Sequence, residues 1–186
     1  MQRICSLNFE NNQDYSLRLL LHQDMEPIRR WRNSQIDILR QSSHLSHQEQ
    51  EAYWKEVVAP SYQMNHPDQL LVAFLEGSQL IGYGGITHID WERKEGEVSF
   101  LLNPEEIESS KNYRKKFGIF LELIKTAAFD KLNLIRLFTE TYDIRPDHIS
   151  ELEARGFQLK KRLTDAIEVR GRKVDALIHE YIADER

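Results

Sequence analysis

The 186-residue sequence predicts an α/β domain of the α+β type, with a mixed, mostly antiparallel central sheet and helices on both faces. Three features point there. Strand-like and helix-like segments follow one another in the order β α α β β β α β α β β. The three strands in the middle are separated by short polar turns, as in consecutive hairpins. The later strands alternate with segments of helical period, as in βα units.

Residues 1–14 are polar, and Ile4, Leu7 and Phe9 fit a short edge strand ahead of a single domain over 15–186. Leu17 to Leu21 is a compact apolar strand. Asp24 precedes a helix whose Met25, Ile28 and Trp31 share one face. Ser46 and Glu49 have the form of a capping box that opens a second helix, with Tyr53, Trp54, Val57 and Val58 inside and a stop near Pro60. Leu70 to Leu75 and Leu80 to Ile89 form a hairpin around Glu76-Gly77-Ser78, and a charged turn leads to a strand over Glu97 to Leu102. Phe117 to Phe129 repeats apolar residues at helical spacing. Ile135 to Thr141 is a strand, a helix over 147–155 stops at Gly156, and strands near 157–163 and 173–182 end the chain.

Composition sets the frame. Hydrophobic residues are 40%, and 8 Gly with 5 Pro are too few for a fibrous or low-complexity chain. Thirty acids against 25 bases leave a net charge of −5, which gives no global reason to bind nucleic acid. A single Cys excludes an internal disulfide framework and multi-cysteine metal centres. No apolar run approaches the roughly 20 residues of a membrane span, and the N-terminal stretch lacks a signal-peptide core. The expectation is a cytoplasmic protein without nucleic-acid or membrane partners, a monomer or homodimer.

Several stretches carry a resemblance: Arg30-Trp31-Arg32-Asn33 on the first helix, Leu80-Ile81-Gly82-Tyr83-Gly84-Gly85-Ile86, Glu97-Val98-Ser99-Phe100-Leu101-Leu102-Asn103-Pro104, Ala128 to Leu134, Glu153-Ala154-Arg155-Gly156-Phe157, and Val174 to His179. In order and spacing they resemble the GNAT superfamily of acyl-CoA-dependent N-acetyltransferases over nearly the whole chain beyond residue 15. Within it, the Trp-Arg-Asn signature is similar to the branch containing ribosomal-protein-alanine and nucleotide-sugar amine acetyltransferases. The last strand resembles the nucleotide-sugar members more.

The resemblance implies a GNAT-like sheet, acetyl-CoA as co-substrate, no metal, and a small-molecule primary amine as acceptor, an amino sugar or nucleotide-linked amino sugar being preferred. A protein N-terminus, or acyl-CoA binding without turnover, are the alternatives. Glu97 aligns with the family's base, the other reading being an exposed strand-end acid. The family's usual thiolate-protonating Tyr is replaced by Leu152, which leaves Tyr142 or water as the donor. The backbone around Phe100, Leu101 and Leu102 is where the pantetheine arm would pair. The family's pyrophosphate loop corresponds to Lys111 to Gly118, where Arg114, Lys115, Lys116, Phe117 and Gly118 are the candidate contacts. Only one of the family's glycines is kept there, and lysines can compensate by charge. The alternative is a solvated basic turn.

Arg30, Trp31, Arg32, His88 and His179 are candidates for the acceptor side. An arginine there can hold a carboxylate or phosphate, but Trp31 in the core with the arginines in water is as good a reading. A lone strand histidine is commonly structural. His44 and His47 lack the further ligands a metal needs. Gly82, Gly84 and Gly85 precede no helix, so they mark a bulge or a close backbone approach rather than a dinucleotide loop.

Overall fold

The computed structural model describes residues 11–12 and 14–183. The expected edge strand at Ile4, Leu7 and Phe9 lies outside them. The elements run β1 (Asn11–Asn12), β2 (Tyr15–Leu19), α1 (Met25–Ser34), α2 (His47–Tyr53), α3 (Ala59–Ser61), β3 (Leu70–Glu76), β4 (Gln79–Asp90), β5 (Glu95–Leu102), α4 (Ser110–Thr126), β6 (Arg136–Tyr142), α5 (Pro146–Ala154), β7 (Gln158–Val169) and β8 (Arg172–Ile182). Among the described residues the strands form one sheet in the order β1-β2-β3-β4-β5-β6-β8-β7. Every neighbouring pair is antiparallel except β5 and β6, which run parallel. The expected mixed, mostly antiparallel sheet is therefore present.

Alternation along β5 places the helices on opposite faces. Phe100 stacks on Phe117 of α4 at 4.8 Å and meets Phe120 at 4.6 Å. Leu101 pairs across the ladder with Tyr83, whose hydroxyl accepts from Arg32 of α1 at 2.7 Å. The core is densest on the α4 side, where Phe74, Phe117 and Phe120 are fully buried. Gly84 is required there: a Cβ would lie 2.2 Å from the Ser99 carbonyl oxygen and 2.8 Å from the Phe120 ring. Gly85, at φ 142°, would clash with the Leu70 carbonyl. The close-approach reading of this glycine run holds.

Local signals work where they are local. Ser46 Oγ accepts from the Glu49 amide at 3.2 Å, and Glu49 Oε2 accepts from the Ser46 amide at 2.7 Å, so the capping box is formed. The second helix departs from the expected facing. A wide π-turn at Trp54–Val58 joins α2 to α3, leaving Val58 buried but Tyr53 and Val57 partly open. α4 begins at Ser110, not Phe117, because Ser109 caps it by accepting from the Asn112 amide at 3.2 Å. The basic run is thus the first two turns of a helix rather than a turn before one.

Candidate active site

The segment between α1 and α2 crosses the sheet and is fixed by the cluster on α1. Asn33 clamps Leu45 with both ends of its amide, donating to the carbonyl at 2.9 Å and accepting from the amide at 2.8 Å. Gln35 donates to the Leu102 carbonyl at 2.9 Å. Asp37 pairs with Arg170 at the tip of the β7–β8 hairpin. Arg40, held this way above β5, donates to Glu97 and lies 3.4 Å from Glu140 on β6.

Glu97 is the centre of the arrangement. Its side chain is 5% exposed, and both oxygens are engaged: Oε1 by Arg40, and Oε2 by Nδ1 of His88 at 2.8 Å. His88 reaches it from a β-bulge in β4, where the ladder steps from Thr87–Glu97 to Asp90–Glu95 and His88 adopts φ 50°. A bulge at this place turns the imidazole toward its neighbour strand while leaving the ring 69% exposed.

Two cavities adjoin beside this pair, sharing Leu39, Arg40, Ser99 and Phe100. The larger, about 990 Å³, lies over the sheet beneath α1 and α2, and its lining includes Arg32, Arg40, Tyr53, Asp68, Tyr83 and His88. The smaller, about 90 Å³, opens between β5 and β6 and is lined by Arg40, Glu97, Phe100, Thr139, Tyr142 and His148 among others. It exists because the parallel pairing of β5 with β6 stops at Glu97–Phe138 although both strands continue. The Asn103 amide donates to the Ile81 carbonyl at 2.8 Å, so odd positions of β5 bond to β4. Val98, Phe100 and Leu102 therefore turn their N–H and C=O toward the opening. Leu102 is partly answered by Gln35, while Leu101 belongs to the β4 ladder.

Tyr142 lines the smaller cavity, 6% exposed. Burial raises its pKa, against the opposing charge of Arg40, so the hydroxyl keeps its proton at neutral pH and can donate it. Leu152 is fully buried in the core. Sequence reasoning missed Arg40, and with it the cluster of Tyr113, Arg145 and His148. There the Tyr113 hydroxyl lies 2.7 Å from His148 Nδ1 and 3.0 Å from Arg145. Burial lowers the His148 pKa well below the usual histidine value, with Arg145 adding to it.

Other expected site residues fall elsewhere. Arg30 is 72% exposed and bonds Glu26 at 3.0 Å, and Trp31 packs against the core. Only Arg32 of that trio reaches the cavity, where it bonds the neutral Tyr83 and Gln41, the latter at 2.9 Å, and has no carboxylate partner among the described residues. His179 is fully buried in β8, its Nε2 lies 3.7 Å from Glu153 Oε1 of α5, just beyond hydrogen-bond distance, and it lines neither cavity. Its position beside Thr139 in the ladder, under α5, makes it a core residue.

The basic run also differs from expectation. Lys116 is buried between Glu106 at 2.6 Å and Glu76 at 3.0 Å. Phe117 is in the aromatic core. Gly118 faces α5, where a Cβ would meet Glu151 Oε1 at 2.3 Å. Arg114 reaches Glu151 at 3.3 Å, and Lys115 lies over the Tyr15 ring at 5.5 Å. Glu105, Glu106 and Glu108 precede the helix. Among the described residues no three His, Cys, Asp or Glu side chains converge as a metal site. No helix among them is long and apolar enough to cross a membrane.

The mixed, mostly antiparallel sheet is the GNAT-like sheet that the resemblance implied. A family model described as acetyltransferase (GNAT) domain matches residues 17–178. The chain belongs to this GNAT acetyltransferase family. The family's reaction draws on acetyl-CoA as acetyl donor. No curated protein sequence matches the chain significantly.

Among solved structures, spermidine N-acetyltransferase from Vibrio cholerae in complex with CoA and spermine is similar at 19% identity, with a TM-score of 0.76, covering 92% of this chain and 96% of that one. Mutant forms of the spermidine/spermine N-acetyltransferase SpeG from the same organism match at 18% identity and TM-score 0.75, covering 92% and 95%. A dodecameric form of the Vibrio cholerae enzyme matches at 18% identity and TM-score 0.73, with the same coverage. At these identities the likeness is one of GNAT fold.

Proposed function

We propose that the chain is an N-acetyltransferase that moves an acetyl group from acetyl-CoA directly to a primary amine on a small molecule bearing an anionic group. A nucleotide-linked amino sugar fits that description. The observation that carries this reading is that the two cavities adjoin, sharing Arg40, Ser99 and Phe100, with His88 on the wall of the larger and its partner Glu97 on the wall of the smaller. A thioester entering between β5 and β6 and an amine entering under α1 and α2 come together at one point. The thioester supplies an already activated acyl group, so no protein nucleophile is required, and positioning provides much of the acceleration.

The strand edge fits an extended, amide-bearing arm, because the N–H and C=O of Val98 and Phe100 face the opening. The diphosphate end departs from the family pattern. Lys116 is held by carboxylates, Gly118 faces α5 and Arg114 pairs with Glu151, which leaves the exposed Lys111 and Lys115 as the available charge. In this reading Tyr142 donates a proton toward the departing sulfur. The Glu97–His88 pair receives the proton that leaves the amine.

Arg32 supports the anionic acceptor. A half-buried guanidinium with only neutral partners favours a carboxylate or phosphate brought by the ligand. A polyamine acceptor is the second reading. Glu49 and Asp68 also line the large cavity, and the similar structures are those of spermidine enzymes. The test is release of free thiol from acetyl-CoA with amino sugars, nucleotide-linked amino sugars, polyamines and an N-terminal peptide, while calorimetry follows CoA binding. Thiol release fastest with an anionic amine supports the first reading. Release fastest with spermidine replaces it by the second. CoA binding without thiol release from any amine leaves a binding protein.

A further inference from the structure

We infer that His88, oriented by Glu97, is the group that takes the proton from the acceptor amine, and that Glu97 acts through it as a positioning residue. The inference rests on the acetyl-transfer reading of this site and concerns which atom receives the proton.

An ionised carboxylate only accepts hydrogen bonds, so the Nδ1 that faces Glu97 Oε2 at 2.8 Å must carry a hydrogen. In the neutral ring Nε2 is then left as a lone-pair acceptor. Nε2 has no partner among the described residues, and the ring borders the large cavity. Glu97 is placed in the opposite way. Its side chain is 5% exposed against 69% for His88, and Arg40 holds its other oxygen. An amine in the large cavity meets the open imidazole nitrogen before it meets the enclosed carboxylate. A carboxylate that fixes the tautomer of an imidazole base is a recurring arrangement in enzymes, and here it is assembled from a bulge, a strand and a crossing segment.

The bulge is what makes the contact. His88 sits at φ 50°, which costs a non-glycine residue strain and persists where the surroundings hold it. Charged groups around the ring are Glu97 on β5, Arg40 on the crossing segment with Glu140 of β6 behind it, and Asp68 on the cavity wall before β3.

In the step itself, the nitrogen lone pair forms the C–N bond to the acetyl carbon, the carbon–sulfur bond breaks, and the sulfur keeps that pair. The nitrogen gives one proton to Nε2 of His88, and the sulfur gains one from Tyr142 or water. The imidazolium then returns its proton to Tyr142 or to solvent, so amine and thioester become amide and thiol.

Two measurements test this. Nitrogen-15 NMR of the wild-type chain, with the His88 signal identified by its loss in His88→Asn, reads the tautomer without any ligand. The expected result is the Nδ1–H form, shifting toward a tautomer mixture in Glu97→Ala; a dominant Nε2–H form in the wild type overturns the inference. Kinetics of His88→Asn, a residue type that tolerates φ 50°, should show kcat lowered about 100-fold. CoA affinity should be unchanged, and added imidazole should partly rescue His88→Gly. A His88→Asn variant as active as the wild type overturns the role of His88 while leaving acetyl transfer in place. A wild-type chain that releases no thiol with any amine overturns the acetyl-transfer reading and the role of His88 together.

Discussion

At the start of α4, cations and carboxylates neutralise one another within the fold. Lys116 is locked between Glu106 and Glu76, and Arg114 leans on Glu151. At the meeting of β4 and β5, a similar density of charge is arranged around an opening. Arg40 and His88 occupy the two oxygens of Glu97, and the outer nitrogen of His88 is left facing a cavity. The difference lies in which member of the network remains accessible. In the first region the enclosed group is a cation with both carboxylates around it, and burial makes the pairing a matter of stability. In the second the enclosed group is the carboxylate, and the accessible group is an imidazole with a free ring nitrogen. Charge density alone does not mark a site; an unanswered polar atom beside a space does.

The contrast can be broken first at Lys116. Burial works against its charge, but Glu106 and Glu76 hold its pKa above the usual lysine value. Lys116→Ala should cost about 3 kcal/mol of stability in urea unfolding, because it removes two charge-assisted hydrogen bonds made by an enclosed ammonium and leaves its site unfilled. CoA affinity of the folded variant should be unchanged, and a folded variant that has selectively lost CoA would move Lys116 back to the ligand. Glu97→Gln comes next. It should lower kcat about 100-fold, near 2.7 kcal/mol of barrier, while the CoA dissociation constant measured by calorimetry stays within about twofold. An unchanged rate would remove Glu97 from the reaction.

Arg32→Ala should raise KM about 10-fold for an anionic acceptor and leave KM for a neutral amine nearly unaltered, consistent with one charge-assisted hydrogen bond. Equal effects on both would make Arg32 a structural partner of Tyr83. The smallest effect belongs to the enclosed histidines. Burial lowers the pKa of both His148 and His179 below the usual 6.5. The unfolded chain therefore binds protons that the folded chain does not as pH falls through that value. Stability should decline below about pH 6.5, by at most about 1.4 kcal/mol per pH unit for each histidine. His148→Gln should flatten the slope, as read by thermal melts across pH.

The element order, the capping box at Ser46 and Glu49, the tight hairpin at Gly77 and the stop at Gly156 were legible because each depends on residues a few positions apart. The helical start at Ser110 was legible in principle from Ser109, but the apolar period that begins at Phe117 masks it. Glu97 was legible through its place in a strand motif. Its partners were not. Arg40 comes from a crossing segment with no periodicity or motif of its own, and His88 meets Glu97 only because a bulge alters the register. The enclosure of Lys116 was illegible for the same physical reason: Glu76 lies on β3, and nothing near Lys116 in the sequence announces it. His179 occupies a motif position and yet is enclosed by β6, β7 and α5, because burial is decided by the sheet order rather than by the strand.

If the opening between β5 and β6 brings a thioester to an amine beside Glu97 and His88, acetyl transfer must be stoichiometric and amine-dependent. The direct measurement mixes the wild-type chain with acetyl-CoA and the amine panel, and counts thiol released against acetylated amine formed. The expected result is amine-dependent release, one thiol for each acetylated amine, suppressed in Glu97→Gln with CoA binding intact. Absence of CoA binding, or thiol release equal with and without amine, would contradict it.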